Sequence, residues 1–283
     1  MADVHEAGRR LCRAQKDVAW TLKPDGSFVT ALDRRIEDWL RARLLKRFRG
    51  AVFIGEEGAP DARAAAGCPR VVLDPIDGTA AFARGLNFFA ISLAVFDGAG
   101  EPALAVLHLP AMGRWYVAHG RVLQTVRTSP RISVRAQRRR RPRPLEDVRA
   151  SYVYLGSDPH LALDLTRWAG KVRALGATAS HLGLLLDGTI DPVAAIVTRY
   201  KIWDVAAGLI LAEAGGLSVR DLSRPRAPLR ASALFGRSVL PPLLVGRPEV
   251  VRRLLRAVRL SPSRRGSART PSRSRAGRAP SRR

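Results

Sequence analysis

A chain of 283 residues with 46% apolar side chains can bury a substantial core, enough for one large domain or two small lobes. No apolar run approaches the roughly 20 residues of a membrane span, and the opening MADVHEAGRRLCRAQKD lacks the apolar centre of a signal peptide, so no membrane attachment and a cytoplasmic location are expected. The net charge of +25 is uneven: no acidic residue occurs from Val250 onward, and 12 arginines lie between Arg252 and Arg283.

In chain order, DRRIEDWLRARLLKRF spaces Ile36, Trp39, Leu40 and Leu44 by three and four, which predicts a surface helix with Asp33 as its N-cap. VFIGEEG ends an apolar run on Glu56 and Glu57. RVVLD predicts a short buried strand that Pro75 stops, followed by a helix opening at Gly78, Thr79 and Ala80. FFAISLAVFD and EPALAVLHLP read as strands joined by a turn at Asp97 to Gly100, and RWYVAHG as a third. RRRRPRP, Arg138 to Pro144, reads as an exposed loop. WDVAAGLILAEAGG predicts a buried helix closed by Gly215 and Gly216. Residues 259–283, almost wholly Arg, Ser, Pro, Ala and Gly, have too little to bury and are expected to be disordered, leaving 1–258 as the folded domain. This tail is either an arm for a nucleic acid or a solvated extension without a partner. Cys12 and Cys68 have neither the spacing nor the neighbours of a metal site and are expected to be reduced and partly buried.

The chemistry concentrates in VVLDPIDGTAAF. Asp74 lies at the C-terminal end of a strand, where α/β folds bind ligands, and Asp77 returns a second carboxylate to the same mouth. Two such acids repel unless a cation lies between them, and a hard divalent ion such as magnesium takes oxygen ligands while leaving places for water and phosphate. The amides after Gly78 and Thr79 suit an anion. Glu56 and Asp204, each at the end of an apolar or helical segment, add acids; their alternatives are a solvated turn and a helix cap.

The succession GEE, DPIDGT and WDVAAG, with DGSFVTALD before it and EAGG after it, closely resembles the inositol monophosphatase family of magnesium-dependent phosphomonoesterases, over roughly residues 5 to 250. The resemblance implies an α/β (α+β) fold, the layered αβαβα sandwich of the sugar phosphatase type. It implies Mg2+ ligands at Glu56, Asp74, Asp77, Asp204 and the Ile76 carbonyl, and it assigns Glu56, Asp33 and Thr79 to orienting and activating water. Gly78, Thr79, Gly176, Ala177 and Thr178 would bind substrate. Asp33 keeps a second reading as a plain helix cap.

The chain departs from the family's pattern at several places. Val197 stands seven residues before Asp204, where an acid often holds inositol hydroxyls; Ala81 replaces an asparagine; and HGRVLQTVRTSP replaces a glycine-rich hairpin. His181 reads as a core histidine or a substrate contact, and Arg199 and Lys201 as surface charges or a site for a second anion. The expected function is magnesium-dependent hydrolysis of a small phosphate monoester, by default inositol monophosphate. Histidinol phosphate, phosphoadenosine phosphate or a sugar phosphate are the alternatives, as is a phosphatase scaffold that binds nucleic acid. Kinship also suggests a homodimer.

Overall fold

A computed structural model describes residues 1–262 apart from 25, 59–66, 121, 130–131, 138–151, 156–160, 188–191, 225–226 and 238. The arginine-rich tail beyond Pro262 and the Arg138 to Pro144 run lie outside the described residues.

The chain begins with α1 (Ala2–Ala14), the hairpin of β1 (Trp20–Leu22) and β2 (Phe28–Thr30), and α2 (Ala31–Arg47). Next come β3 (Val52–Gly55), β4 (Arg70–Asp77), α3 (Thr79–Ala83), β5 (Ala90–Phe96), β6 (Pro102–Leu109), β7 (Arg114–His119), β8 (Val122–Ser129) and β9 (Ile132–Gln137). The second half holds β10 (Tyr152–Leu155), β11 (Leu161–Asp164), β12 (Lys171–Arg173), α4 (Thr178–Leu184), β13 (Pro192–Val197), α5 (Ile202–Ala214), β14 (Ser218–Asp221), β15 (Leu243–Gly246), α6 (Pro248–Ala257) and β16 (Arg259–Pro262).

Strands β3 to β9 form one sheet in sequence order, antiparallel except where β3 meets β4, and a second sheet has the order β12-β10-β13-β15-β14. Helices α1 and α2 cover the outer face of the first sheet, closing a core around Leu11, Leu40, Phe53 and Leu73. Helices α4 and α5 lie between the sheets, and α6 covers the outer face of the second through Val250, Val251 and Leu254. The result is the expected αβαβα layering.

Local chemistry explains the layers. Every residue of α5 from Val205 to Ala212 is buried, because the helix meets a sheet on either side and has no solvent face. Its glycine permits the closest approach of the two middle helices: a β-carbon on Gly208 would lie 2.4 Å from Leu182 Cδ1. All seven residues of β5 are likewise buried, as befits an interior strand covered on both faces.

Several expectations are corrected. Helix α2 is capped by Thr30, whose hydroxyl accepts from Leu32 N; Asp33 sits three positions in and closes a capping box. Strand β4 runs through Pro75 to Asp77. Proline lacks an N–H, but the ladder already breaks register between Asp74 and Asp77, so none is needed there. Where the family's glycine-rich hairpin is replaced, β8 pairs antiparallel with β7 from Arg114–Arg127 to His119–Val122. Both cysteines are free as expected, though Cys12 is exposed rather than partly buried. Strand β16 pairs with β11, carrying described structure four residues past the expected domain end.

Candidate active site

The register break in β4 builds the centre. Along a regular strand, residues three apart point to opposite faces. Between Asp74 and Asp77, three steps on β4 match two on β5, from Ser92 to Ala90, and this extra residue is a bulge that turns both acids to one side. Asp204, in the first turn of α5, joins them: carboxylate oxygens of Asp74, Asp77 and Asp204 lie within 4.8 Å of one another.

Each acid is held by backbone. Asp74 Oδ1 accepts from Ile76 N at 2.9 Å. Asp77 crosses to the middle layer, accepting from Thr178 N at 3.1 Å, Ala179 N at 2.9 Å and Ser180 N at 3.3 Å in the first turn of α4. Asp204 Oδ2 accepts from Lys201 N at 2.7 Å; Lys201 is the N-cap of α5, so the alternative reading of Asp204 as the cap gives way to a place three positions in.

Asp33 and Thr79 meet across the layers. Asp33 Oδ2 accepts from Thr30 N at 2.7 Å and Thr30 Oγ1 at 2.6 Å, and Oδ1 lies 3.0 Å from Thr79 Oγ1. The Thr79 hydroxyl is also 2.9 Å from the Ile76 carbonyl, so its one proton has two acceptors. Asp33 thus serves the helix start as the third residue of the capping box, not as the cap, and also reaches the site through Thr79.

Glu56 lies beside this cluster, at the end of β3. Its carboxylate and that of Glu57 accept from Lys23 Nζ at 2.8 and 2.6 Å. Lys23 and Glu37 escape the sequence reading. Glu37 is 2% exposed and accepts from Glu57 N at 3.0 Å, fixing the loop that carries Glu56. Its signal was present: 33, 37, 40 and 44 follow one helix face, so Glu37 falls on the buried stripe with Leu40 and Leu44.

Burial dominates the electrostatics. It pushes Asp74 and Asp77 well above the usual carboxylate range; Glu56, Asp77 and Asp204 add to the rise at Asp74, and Asp204 adds to it at Asp77. Asp204 is pushed up to about 7, again chiefly by burial, and Glu56 and Asp33 are raised for the same first reason. Burial alone would depress Lys23, but its bonds to Glu56 and Glu57 reverse this and raise it. A group of oxygen donors that desolvation drives toward the neutral form fits a hard cation that would restore their charge.

Gly78, Gly176, Ala177 and Thr178 come together on one side of the centre. Gly78 takes a left-handed φ of 87°, and a β-carbon there would lie 2.6 Å from Ala177 Cβ. Ala177 is 2% exposed and packs toward Gly78, while Thr178 spends its N–H on Asp77. On the other side, Glu56 and Asp204 line a cleft of about 970 Å³ with Lys23, Arg199, Lys201 and Arg237; residues 176 to 178 do not line it. His181 is buried, stacks on Tyr154 at 4.0 Å between ring centroids, and accepts from Leu175 N, as a core histidine does.

Residues 4–244 match the sequence profile of the inositol monophosphatase family. The chain belongs to this family. An inositol-1-monophosphatase from Rhizobium meliloti is 31% identical over 82% of this chain and 87% of its own length. A histidinol-phosphatase from Streptomyces coelicolor is 29% identical over 76% and 82%. A solved IMPase/NADP phosphatase complexed with Mg2+ and phosphate shares the fold, with a TM-score of 0.70 at 19% identity over 89% of this chain and 90% of that one. As an inositol monophosphatase family member, the protein is a phosphatase of phosphate monoesters. No helix among the described residues is long and apolar enough to cross a membrane.

Proposed function

We propose that the protein hydrolyses a small phosphate monoester with magnesium as cofactor, inositol monophosphate being the default substrate by kinship. The observation that carries this reading is the convergence of Asp74, Asp77 and Asp204 within 4.8 Å, with Glu56 on the adjoining strand end. These four side chains and the Ile76 carbonyl would hold the metal. When bound, magnesium supplies positive charge that neutralises phosphate oxygens and makes a water molecule more acidic.

The chain's own groups do the rest. Asp33, buried and fixed by Thr30, keeps its proton affinity raised while Oδ1 faces Thr79. The Thr79 hydroxyl passes its proton to Asp33 Oδ1 as its oxygen takes one from the attacking water, so a two-group relay serves as the general base. Water oxygen adds to phosphorus, the ester P–O bond breaks, and the leaving alcohol oxygen takes a proton from solvent in the open cleft. Amides after Gly78 and the close Gly78–Ala177 contact favour an anion over a bulky group at this edge.

A second reading of the substrate is a phosphorylated sugar or nucleotide, favoured by Val197. This residue is 4% exposed in β13 and offers no acceptor to inositol hydroxyls at a place where relatives often carry an acid.

The test of the reaction is phosphate release in magnesium beside Asp77→Asn. Loss of at least about 100-fold is expected, because the amide cannot supply the lost charge. Turnover retained by the folded variant would overturn the reading.

A further inference from the structure

The cleft beside Asp204 holds more cations than one phosphate uses. Lys23, Arg199, Lys201 and Arg237 line it, against the carboxylates of Glu56 and Asp204. Lys23 is committed to Glu56 and Glu57. Arg199 and Lys201 are exposed and form no side-chain ion pair among the described residues. Arg237 donates Nε to the Ala233 carbonyl at 2.7 Å, and its Nη1 is 3.9 Å from Asp221, at the outer limit of an ion pair.

The reacting phosphate belongs with Asp74, Asp77, Asp204 and Glu56. When those acids are engaged there, Arg199, Lys201 and Arg237 face the same cleft with no acid of its lining left to balance them. Like charges gathered in a concave wall cost free energy unless a ligand of opposite sign enters, and arginine matches phosphate with paired N–H donors. The wall beside them is apolar: Trp203, Phe235 and Leu240 are half-buried and Val239 is 80% exposed.

We infer that this cleft is a second-anion subsite, and that the preferred substrate is a phosphate monoester whose alcohol carries another phosphate. Arg199 and Arg237 bind that phosphate through charge-assisted hydrogen bonds, while the sugar or base lies along the apolar wall. The inference rests on the phosphatase reading. Only the ester at the carboxylate cluster is cleaved: water adds to its phosphorus, its bond to the alcohol oxygen breaks, and the second phosphate stays on the product. An alcohol bearing an amine, as in an amino-alcohol phosphate, is repelled by the same groups.

The test uses the full chain with magnesium and matched substrates: adenosine 3′,5′-bisphosphate against adenosine 3′-monophosphate, and fructose 1,6-bisphosphate against fructose 1-phosphate. In one pair kcat/KM is expected to favour the bisphosphate by about tenfold or more, and the pair that does so separates a nucleotide from a sugar. In the double variant Arg199→Ala, Arg237→Ala that ratio falls about tenfold, mainly through KM. Ratios near one in both pairs, with the monophosphates turned over, would defeat the inference and leave the phosphatase reading standing; so would a ratio the double variant does not change.

A binding measurement keeps the two questions separate. Adenosine 5′-monophosphate is titrated by calorimetry into protein holding magnesium and saturating inorganic phosphate. Affinity about tenfold weaker in the double variant supports the subsite even if no ester tested is hydrolysed, and equal affinity in both proteins overturns it.

Discussion

The carboxylate of Glu37 fills the space that a β-carbon on Gly55 would need. An ideal β-carbon there would lie 2.6 Å from Glu37 Cδ and Oε2. Glu37 is thereby held under the end of β3, where its Oε2 accepts the Glu57 N–H. Gly55→Ala is expected to displace Glu37, move the Glu56 loop and lower phosphate release by about tenfold or more; a lost buried hydrogen bond of this kind costs roughly 1–3 kcal/mol. Gly50→Ala provides the contrast: it strains a positive φ but has no neighbour within 4 Å, so stability falls while the Glu56 loop keeps its place. Comparable loss of kcat in both variants at matched folding would contradict this account.

Thr79 is the point where Asp33 reaches the site. Thr79→Val keeps the shape and removes the hydroxyl, and kcat is expected to fall by about 10² or more with little change in KM, the scale of a lost general base. Thr79→Ser should recover part of the rate. Steady-state kinetics of the two variants side by side decide the matter, since a packing role alone would make serine the worse replacement.

Buried acids make the metal-free protein less stable as pH rises toward neutral. Asp204 has a folded pKa raised to about 7, so protons are bound more tightly in the folded than in the unfolded state. Its unfavourable contribution therefore grows as pH rises from the ordinary aspartate range of about 4 up to about 7, then levels off. Asp204→Asn is expected to stabilise the metal-free chain by at least about 1 kcal/mol at pH 7.5. The same change should abolish turnover and shrink the rise in Tm on adding magnesium. Urea titrations with chelator and with magnesium would show it, and a variant less stable than the parent without metal would refute it.

His108 and His181 act in the opposite direction over nearly the same pH range. Burial holds each at a pKa of about 3, below an ordinary value near 6.5. The unfolded chain then binds more protons, so stability is full above about 6.5 and is lost as pH falls toward 3. Each histidine contributes a slope of up to about 1.4 kcal/mol per pH unit in that window. His108→Leu should flatten the dependence by about half in chemical denaturation at pH 7, 6 and 5, whatever its effect at pH 7. An unchanged slope would assign the acid sensitivity to other groups.

Much of this architecture was legible in the chain. The stripe of α2, the buried apolar run of α5 and the strands around the Asp97 to Gly100 turn follow from periodicity, and the acids of DPIDGT and WD from their residue types. What escaped depends on partners distant in sequence. Thr30 outcompetes Asp33 as the cap because Asp33 also has to meet Thr79, 46 residues away. Pro75 does not end its strand because a bulge against β5 absorbs it. Lys23 and Glu37 matter only once β3 delivers the Glu56–Glu57 loop onto them. His181 takes its core reading, since an imidazole inside an apolar segment packs there by default.

Asp77 on β4 takes its three hydrogen bonds from α4, and its neighbour Asp204 comes from α5, so the centre is divided between the first sheet and the middle helices that the second sheet holds in place. Catalysis is thereby a late event in the life of the chain. A nascent polypeptide that has laid down β3 to β7 already owns Glu56, Asp74 and Asp77, yet it lacks the donors and the third acid until residues 178–204 emerge and dock. The enzyme cannot begin hydrolysing phosphate esters half-made, and recovery of turnover after denaturation reports the docking of the middle helices on the first sheet.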